Sequence, residues 1–86
     1  MEEPRLVYRF QRNPDEEIRI LLKEYKERYY LDLRLWFHPS SGGEYFPTKK
    51  GISVALGLLP ELKKGVDRAV KLAAELPLQK QANSVE

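Results

Sequence analysis

Residues 28–37 read Arg28-Tyr29-Tyr30-Leu31-Asp32-Leu33-Arg34-Leu35-Trp36-Phe37, and their alternation decides the fold. In a strand, successive side chains point to opposite faces. Tyr29, Leu31, Leu33, Leu35 and Phe37 therefore share one face, and Arg28, Tyr30, Asp32, Arg34 and Trp36 share the other. The first face is apolar and needs a cover. Residues 58–76 offer one: Leu59, Leu62, Val66, Ala69, Val70, Ala73 and Leu76 recur at spacings of three and four, the signature of an amphipathic helix. Lys63, Lys64, Asp67, Arg68 and Lys71 fall mainly on its other side. Pro60 suits the first turn, where a missing N–H costs nothing. Gly65 costs about 1 kcal/mol relative to alanine in a helix interior; it either admits a close neighbour or is simply tolerated.

Outward from this strand, further extended segments can be read. Residues 18–25 (IRILLKEY) precede it across Lys26-Glu27, which predicts a hairpin, although that turn lacks the favoured Asn-Gly. Residues 6–12 (LVYRFQR) mix aromatic and β-branched side chains with arginine and stop at Asn13-Pro14, a turn signal. His38-Pro39-Ser40-Ser41-Gly42-Gly43 reads as a loop, and residues 44–54 resume in extended form, with Pro47 marking an edge, a bulge or a break. The expected fold class is α+β: a four-stranded antiparallel sheet followed by one C-terminal helix packed on one face. Residues 1–77 form the expected single domain, and the polar stretch 78–86 after Pro77 is expected to be a disordered tail.

At 86 residues the chain is one small domain, and such domains are marginally stable unless disulfides, metals or oligomerisation add to the core. There is no cysteine and a single histidine, which excludes disulfides and leaves no zinc set; no cofactor is expected. Dimerisation is the remaining remedy. No apolar run approaches the roughly 18 residues of a membrane span, and the opening MEEPRL does not resemble a secretory signal. Net charge is +2, unevenly spread. Residues 1–17 hold three arginines against five carboxylates, whereas residues 18–51 hold seven cations against four carboxylates and contain the only tryptophan. The middle of the chain is the basic part.

The face not assigned to the helix carries two arginines alternating with Tyr30 and Trp36. Two readings fit it. Cations that hold phosphates beside flat rings that stack on unpaired bases suit single-stranded nucleic acid, each stacked base contributing about 1–3 kcal/mol. Alternatively, Tyr30 and Trp36 pack in a dimer interface with the arginines snorkelling past them. Asp32 is expected to pair with Arg34 or Arg28 and orient it. Tyr8 and Phe10 are expected to be core or dimer contacts. His38 is expected to be solvent-exposed, Ser40 and Ser41 to be loop formers, and Gly42-Gly43 is too short for a phosphate-binding loop. No nucleophile–base pair, metal cluster or carboxylate dyad can be read, so an enzyme is not expected.

The run Asp32-Leu33-Arg34, Trp36-Phe37, Pro47 and Lys49-Lys50-Gly51-Ile52-Ser53 resembles the positive cofactor 4 family of small single-stranded DNA-binding transcriptional coactivators. The likeness spans roughly residues 18–72, and Lys49-Lys50-Gly51-Ile52-Ser53 is its most specific part. It implies a homodimer, built through helix and sheet-edge contacts, with nucleic acid crossing curved strand surfaces of both subunits. It implies phosphate contacts from Lys49 and Lys50, with Gly51 letting the backbone turn or approach the ligand closely. Arg34 matches the family's strand arginine. Phe37 matches the family's stacking tryptophan, with Trp36 one position earlier, so the stacking residue is one of the two. Tyr25 matches a second stacking residue, and Lys23, Lys26 and Arg28 match basic positions around the turn. Glu27 departs from the family by replacing a turn glycine, and Phe46 stands where a basic residue is common. The Ser-rich acidic N-terminal region of eukaryotic members is absent, which points to a bacterial or phage member, cytoplasmic and nucleoid-associated; a eukaryotic member would be nuclear. The implied function is single-stranded DNA binding with little sequence preference, in transcription regulation or genome maintenance. RNA binding, or an adaptor role on transcription or replication proteins, stands as the alternative.

Overall fold

Ten-residue strands at the centre of the chain dictate the architecture of the computed structural model, which describes residues 3–39 and 42–77. Strand β1 spans Arg5–Asn13, β2 Glu16–Tyr25, β3 Arg28–Phe37 and β4 Phe46–Ala55; a 3₁₀ turn, Leu56–Leu58, leads into helix α1, Leu59–Ala73. The strands form one antiparallel sheet in the order β1-β2-β3-β4, so each strand pairs with its neighbour in sequence. The expected four strands and C-terminal helix are all present. The expected tail, residues 1 and 2 of the opening segment, and the loop serines Ser40 and Ser41 lie outside the described residues.

The turns show how the chain closes each hairpin. Between β1 and β2, the Asn13 side-chain oxygen accepts the Asp15 N–H at 2.9 Å, a local turn that asparagine favours. It lets β2 begin at Glu16, two residues before the apolar alternation does. Between β2 and β3, Lys26 (φ 52°) and Glu27 (φ 66°) both occupy left-handed backbone. A two-residue hairpin of type I′ demands positive φ at both central positions, which glycine and asparagine accept at little cost and other residues do not.

Register places the side chains. Leu31 pairs with Leu22 and Val54, Leu33 with Ile20 and Ile52, and Leu35 with Ile18. Tyr8 and Phe10 extend this apolar face across β1, opposite Ile20 and Ile18. The helix begins beside it: Leu59, Pro60, Leu62 and Val66 gather around Leu31. Beyond that point the apolar stripe stays exposed, and Val70 is 66% accessible. Tyr8, Phe10 and Ile52 are exposed too. Among the described residues only Leu35, Glu17 and Asp32 are buried. A single chain thus has almost no apolar core, and the stripe on α1 covers little of its own sheet. Apart from its chain neighbours and its own helix backbone, nothing among the described residues lies within 4 Å of a methyl group built on Gly65, so no packing neighbour among them explains that glycine. The helix is held locally by Pro60 in its first turn and by the Lys63–Asp67 and Lys64–Glu61 pairs at 2.7 and 3.4 Å.

Candidate nucleic-acid interface

On the second face of the sheet, β2 contributes Glu17, Arg19, Lys23 and Tyr25, and β3 contributes Arg28, Tyr30, Asp32, Arg34 and Trp36. Register brings them into rows: Glu17 opposite Trp36, Arg19 opposite Arg34, Lys23 opposite Tyr30, and Tyr25 opposite Arg28. Two carboxylates lie at the bottom of this layer, Glu17 at 3% and Asp32 at 4% accessibility. Buried carboxylates persist only when paired, and both are.

Asp32 sits at the centre of the first cluster. Arg34 donates to it twice, from Nε to Oδ2 at 3.0 Å and from Nη2 to Oδ1 at 2.9 Å, the forked geometry that suits a carboxylate. Ser53 Oγ donates to Oδ1 at 3.1 Å, and Lys23 Nζ stands 3.4 Å from the same oxygen. Burial works to raise the Asp32 pKa. The Arg34 hydrogen bonds, the Lys23 charge and the Ser53 hydroxyl more than offset it and hold the carboxyl below its ordinary 3.8. The same hydrogen bonding raises the Arg34 pKa. The expected pairing of Asp32 with Arg34 is therefore present.

Glu17 anchors the second cluster. Its Oε2 accepts from Arg19 Nε and, at 3.5 Å, from Arg9 Nη1. The Arg19 guanidinium then lies 4.4 Å from the centre of the Trp36 ring and 5.0 Å from that of Tyr45, a cation–π arrangement that caps the indole. The indole nitrogen is buried without an acceptor among the described residues. His38, expected to be exposed, is half-buried instead: its ring centre lies 4.7 Å from that of Tyr45, and its backbone N–H donates to the Asp15 carbonyl at 2.7 Å. The backbone bond continues the β2–β3 pairing one residue past Glu16–Phe37, and the ring contact with Tyr45 is one that loop composition alone does not reveal. Across the two clusters four cations, Arg9, Arg19, Lys23 and Arg34, surround two carboxylates, so the face keeps a positive excess.

The pairing of β3 with β4 is interrupted beside this face. Arg34 pairs with Gly51, but the next pair is Trp36 with Pro47. Thr48, Lys49 and Lys50 thus stand against the single residue Leu35, forming a large β-bulge. The Thr48 hydroxyl donates to the Leu35 carbonyl at 2.8 Å and accepts the Lys50 N–H at 3.1 Å. Arg34 Nη1 donates to the Thr48 carbonyl at 3.0 Å. Lys49 and Lys50 are exposed and make no ion pair among the described residues. Gly51 is required by contact with β3: a methyl group there would lie 2.7 Å from the Leu33 carbonyl oxygen and 2.9 Å from Arg34 Cα. Its close approach is to the neighbouring strand.

The remaining sequence-predicted residues divide between locations. Lys23, Tyr25 and Tyr30 line one shallow cavity with Ser53. Lys26, in the hairpin turn, lies 5.4 Å from the centre of the Tyr25 ring. Arg28 is exposed beside them. The β2–β3 ladder runs unbroken through Glu17–Trp36 and Glu16–Phe37, so Trp36 and Phe37 point to opposite faces. Phe37 is 41% accessible, on the side of the leucine row. Lys50 reaches that side as well, lining a depression with Arg12, Ile18, Leu33, Leu35 and Ile52. Sequence reasoning missed Arg9, Glu17, Arg19 and Tyr45 in the polar layer, and Thr48 and Ser53 around the bulge. The alternation Glu17, Arg19, Lys23, Tyr25 along β2 was a usable signal for two of them, Glu17 and Arg19. Among the described residues no group of His, Asp or Glu is placed to hold a metal ion, and no helix is long and apolar enough to cross a membrane.

Comparison with known proteins agrees with this geometry. Residues 12–65 match the family described as transcriptional coactivator p15 (PC4). A PC4 homologue from Burkholderia pseudomallei, in its tetragonal crystal form, superposes with a TM-score of 0.72 at 29% identity, over 79% of this chain and 98% of that one. Its orthorhombic form gives 0.72 at 28% identity, over 81% and 93%. A bacteriophage T5 homologue of the eukaryotic coactivator PC4, implicated in recombination-dependent DNA replication, shares the fold with a TM-score of 0.66 at 23% identity, over 93% and 92%. No curated protein sequence matches the chain.

Proposed function

Because this chain belongs to the transcriptional coactivator p15 (PC4) family, we propose that it binds single-stranded DNA with little sequence preference, as a homodimer, in transcription regulation or genome maintenance. The observation that carries the reading is the β4 bulge. It carries the consecutive residues Lys49 and Lys50, both exposed and without an ion pair among the described residues, in the segment most specific to the family, with Lys50 turned toward the leucine side. In this reading the two ammonium groups hold phosphates. Lys23, Lys26 and Arg28 form a second basic group around the hairpin tip. Stacking falls to the accessible rings: Tyr25 at 62% near the tip, and Phe37 at the far end of β3. Trp36, capped by Arg19, serves as a platform that orients the guanidinium. Tyr30 lines the hairpin-end cavity. Nine residues of strand, roughly 30 Å, separate the two rings, which lie on opposite faces of the sheet, Tyr25 on the polar face and Phe37 on the leucine face.

The near absence of a core supports the homodimer. A small domain with one buried apolar side chain among the described residues and an exposed stripe on α1 gains stability by burying that stripe against another copy. The experiment is a titration of labelled oligonucleotides, single-stranded and duplex, DNA and RNA, at low and moderate salt. Tight binding to single strands with weaker binding to duplex is expected, with log K falling by about 0.7 per phosphate contact against log salt. Equal affinity for duplex, or no binding at low salt, overturns the proposal.

A further inference from the structure

We propose that Asp32 and Arg34 are positioning residues that brace the Lys49–Lys50 bulge, so that the carboxylate of Asp32 strengthens phosphate binding although it carries the wrong charge to touch a phosphate. The inference rests on the nucleic-acid reading above and assigns a role within it.

Two extra residues in one strand need their backbone groups satisfied and their path fixed, because a bulge leaves ladder partners without a mate. The Thr48 hydroxyl satisfies the Lys50 N–H from within the bulge, and one side-chain unit on β3 fixes the path. Arg34 uses Nη1 to hold the Thr48 carbonyl, at the entry of the bulge, and commits Nε and Nη2 to Asp32. Asp32 in turn receives the hydroxyl of Ser53, two residues past Gly51, at the exit. Entry and exit are thereby tied to the same pair of side chains on β3. Gly51 fits between them because its missing side chain lets β4 lie against Leu33 and Arg34. The Arg34 side chain is only 20% accessible. With three of its donors occupied, it is built into the sheet rather than displayed to a ligand. A planar guanidinium can hold a carboxylate with two parallel bonds and still reach a third acceptor; an ammonium cannot reproduce that fork.

This arrangement separates two roles that simple electrostatics would merge. If Arg34 were a phosphate ligand, Arg34→Lys would keep most of the affinity. If Asp32 only repelled phosphate, Asp32→Asn would tighten binding. Bracing requires the opposite in both cases. Loss of two phosphate contacts lowers the salt slope by about 1.4 and weakens binding about 25-fold at ~0.1 M salt.

The test measures affinity of the full chain for a labelled single-stranded oligothymidylate as a function of salt. It compares the wild type, Asp32→Asn, Arg34→Lys, Ser53→Ala and the pair Lys49→Ala/Lys50→Ala, alone and combined. Asp32→Asn and Arg34→Lys are expected to weaken binding and flatten the slope. Adding Lys49→Ala/Lys50→Ala to either should cost far less than it does in the wild type. Full additivity, or binding by Asp32→Asn as tight as wild type or tighter, overturns the proposal. Ser53→Ala keeps every charge and serves if the other variants unfold; it should show the same non-additivity at smaller amplitude. Hydrogen exchange at the Lys50 amide, whose acceptor is the hydroxyl of the Thr48 that Arg34 holds by its carbonyl, reads the brace through that residue, and protection there should fall in Arg34→Lys. Unchanged protection overturns the brace whether or not DNA binds, whereas a wild-type chain that binds no oligonucleotide overturns the functional reading alone.

Discussion

Replacing Gly51 with alanine places a methyl carbon 2.7 Å from the Leu33 carbonyl oxygen and 2.9 Å from Cα and Cβ of Arg34. The obstructing atoms are mainly backbone, so relief requires β3 and β4 to separate by several tenths of an ångström where Arg34 holds them together. Forcing an extra carbon into a packed site typically costs about 1–3 kcal/mol. Alanine recovers about 0.4–1 kcal/mol by restricting the unfolded chain. The expected net loss is therefore ~1–2 kcal/mol, a large share of the ~4–13 kcal/mol typical of a domain of this length. Urea unfolding followed by circular dichroism, at fixed protomer concentration because dimerisation adds to apparent stability, should show a lower midpoint with little change in slope. The thermal midpoint should fall by about 4–8 °C per kcal/mol. Single-stranded DNA affinity should fall as well, since the displaced strand carries Lys49 and Lys50. An alanine variant within about 0.5 kcal/mol of the wild type would refute the claim that contact with β3 selects glycine here.

Glu27→Gly should stabilise the chain by about 1 kcal/mol, because Glu27 holds φ at 66° where an L side chain is strained; a lower urea midpoint would count against the type I′ assignment. Asp32 has a folded pKa below 3.8, so its contribution to stability is complete above that pH and is lost as pH falls through the folded value. The urea midpoint should drop on acidification below about pH 4, and Asp32→Asn should flatten that acid limb; an identical limb in the variant would contradict the assignment. Phe37→Ala and Tyr25→Ala should each weaken single-strand binding by about 1–3 kcal/mol with the salt slope unchanged, whereas Arg19→Ala should uncover Trp36 and shift its emission to longer wavelength. If Trp36→Ala abolishes binding while Phe37→Ala is silent, the stacking assignment is reversed.

Much of this protein was legible from local pattern. The alternation of residues 28–37, the extended segments 6–12, 18–25 and 44–54, the helical spacing of Leu59, Leu62, Val66 and Val70, and the short Lys26-Glu27 connection specify the order and type of the four strands and the helix, though not the 3₁₀ turn between β4 and α1, because strand and helix periods are properties of consecutive residues. The Asp32–Arg34 pair was visible too, since residues two apart in a strand share a face. The bulge was not. Pro47 allowed an edge, a bulge or a break, and only pairing with β3 shows that Thr48, Lys49 and Lys50 oppose Leu35 alone. That register turns Lys50 toward the leucine row, aims Arg34 at a β4 carbonyl and makes Gly51 obligatory, all consequences of atoms distant in sequence. The capping of Trp36 by Arg19 depends likewise on two strands meeting. An apolar stripe on a helix states that something must cover it, but not what, because burial is indifferent to whether the matching surface belongs to the same chain. Periodicity therefore sufficed for the elements and for the presence of an unsatisfied face; strand register and packing alone decided which cations are spent on carboxylates and which are left to meet a ligand.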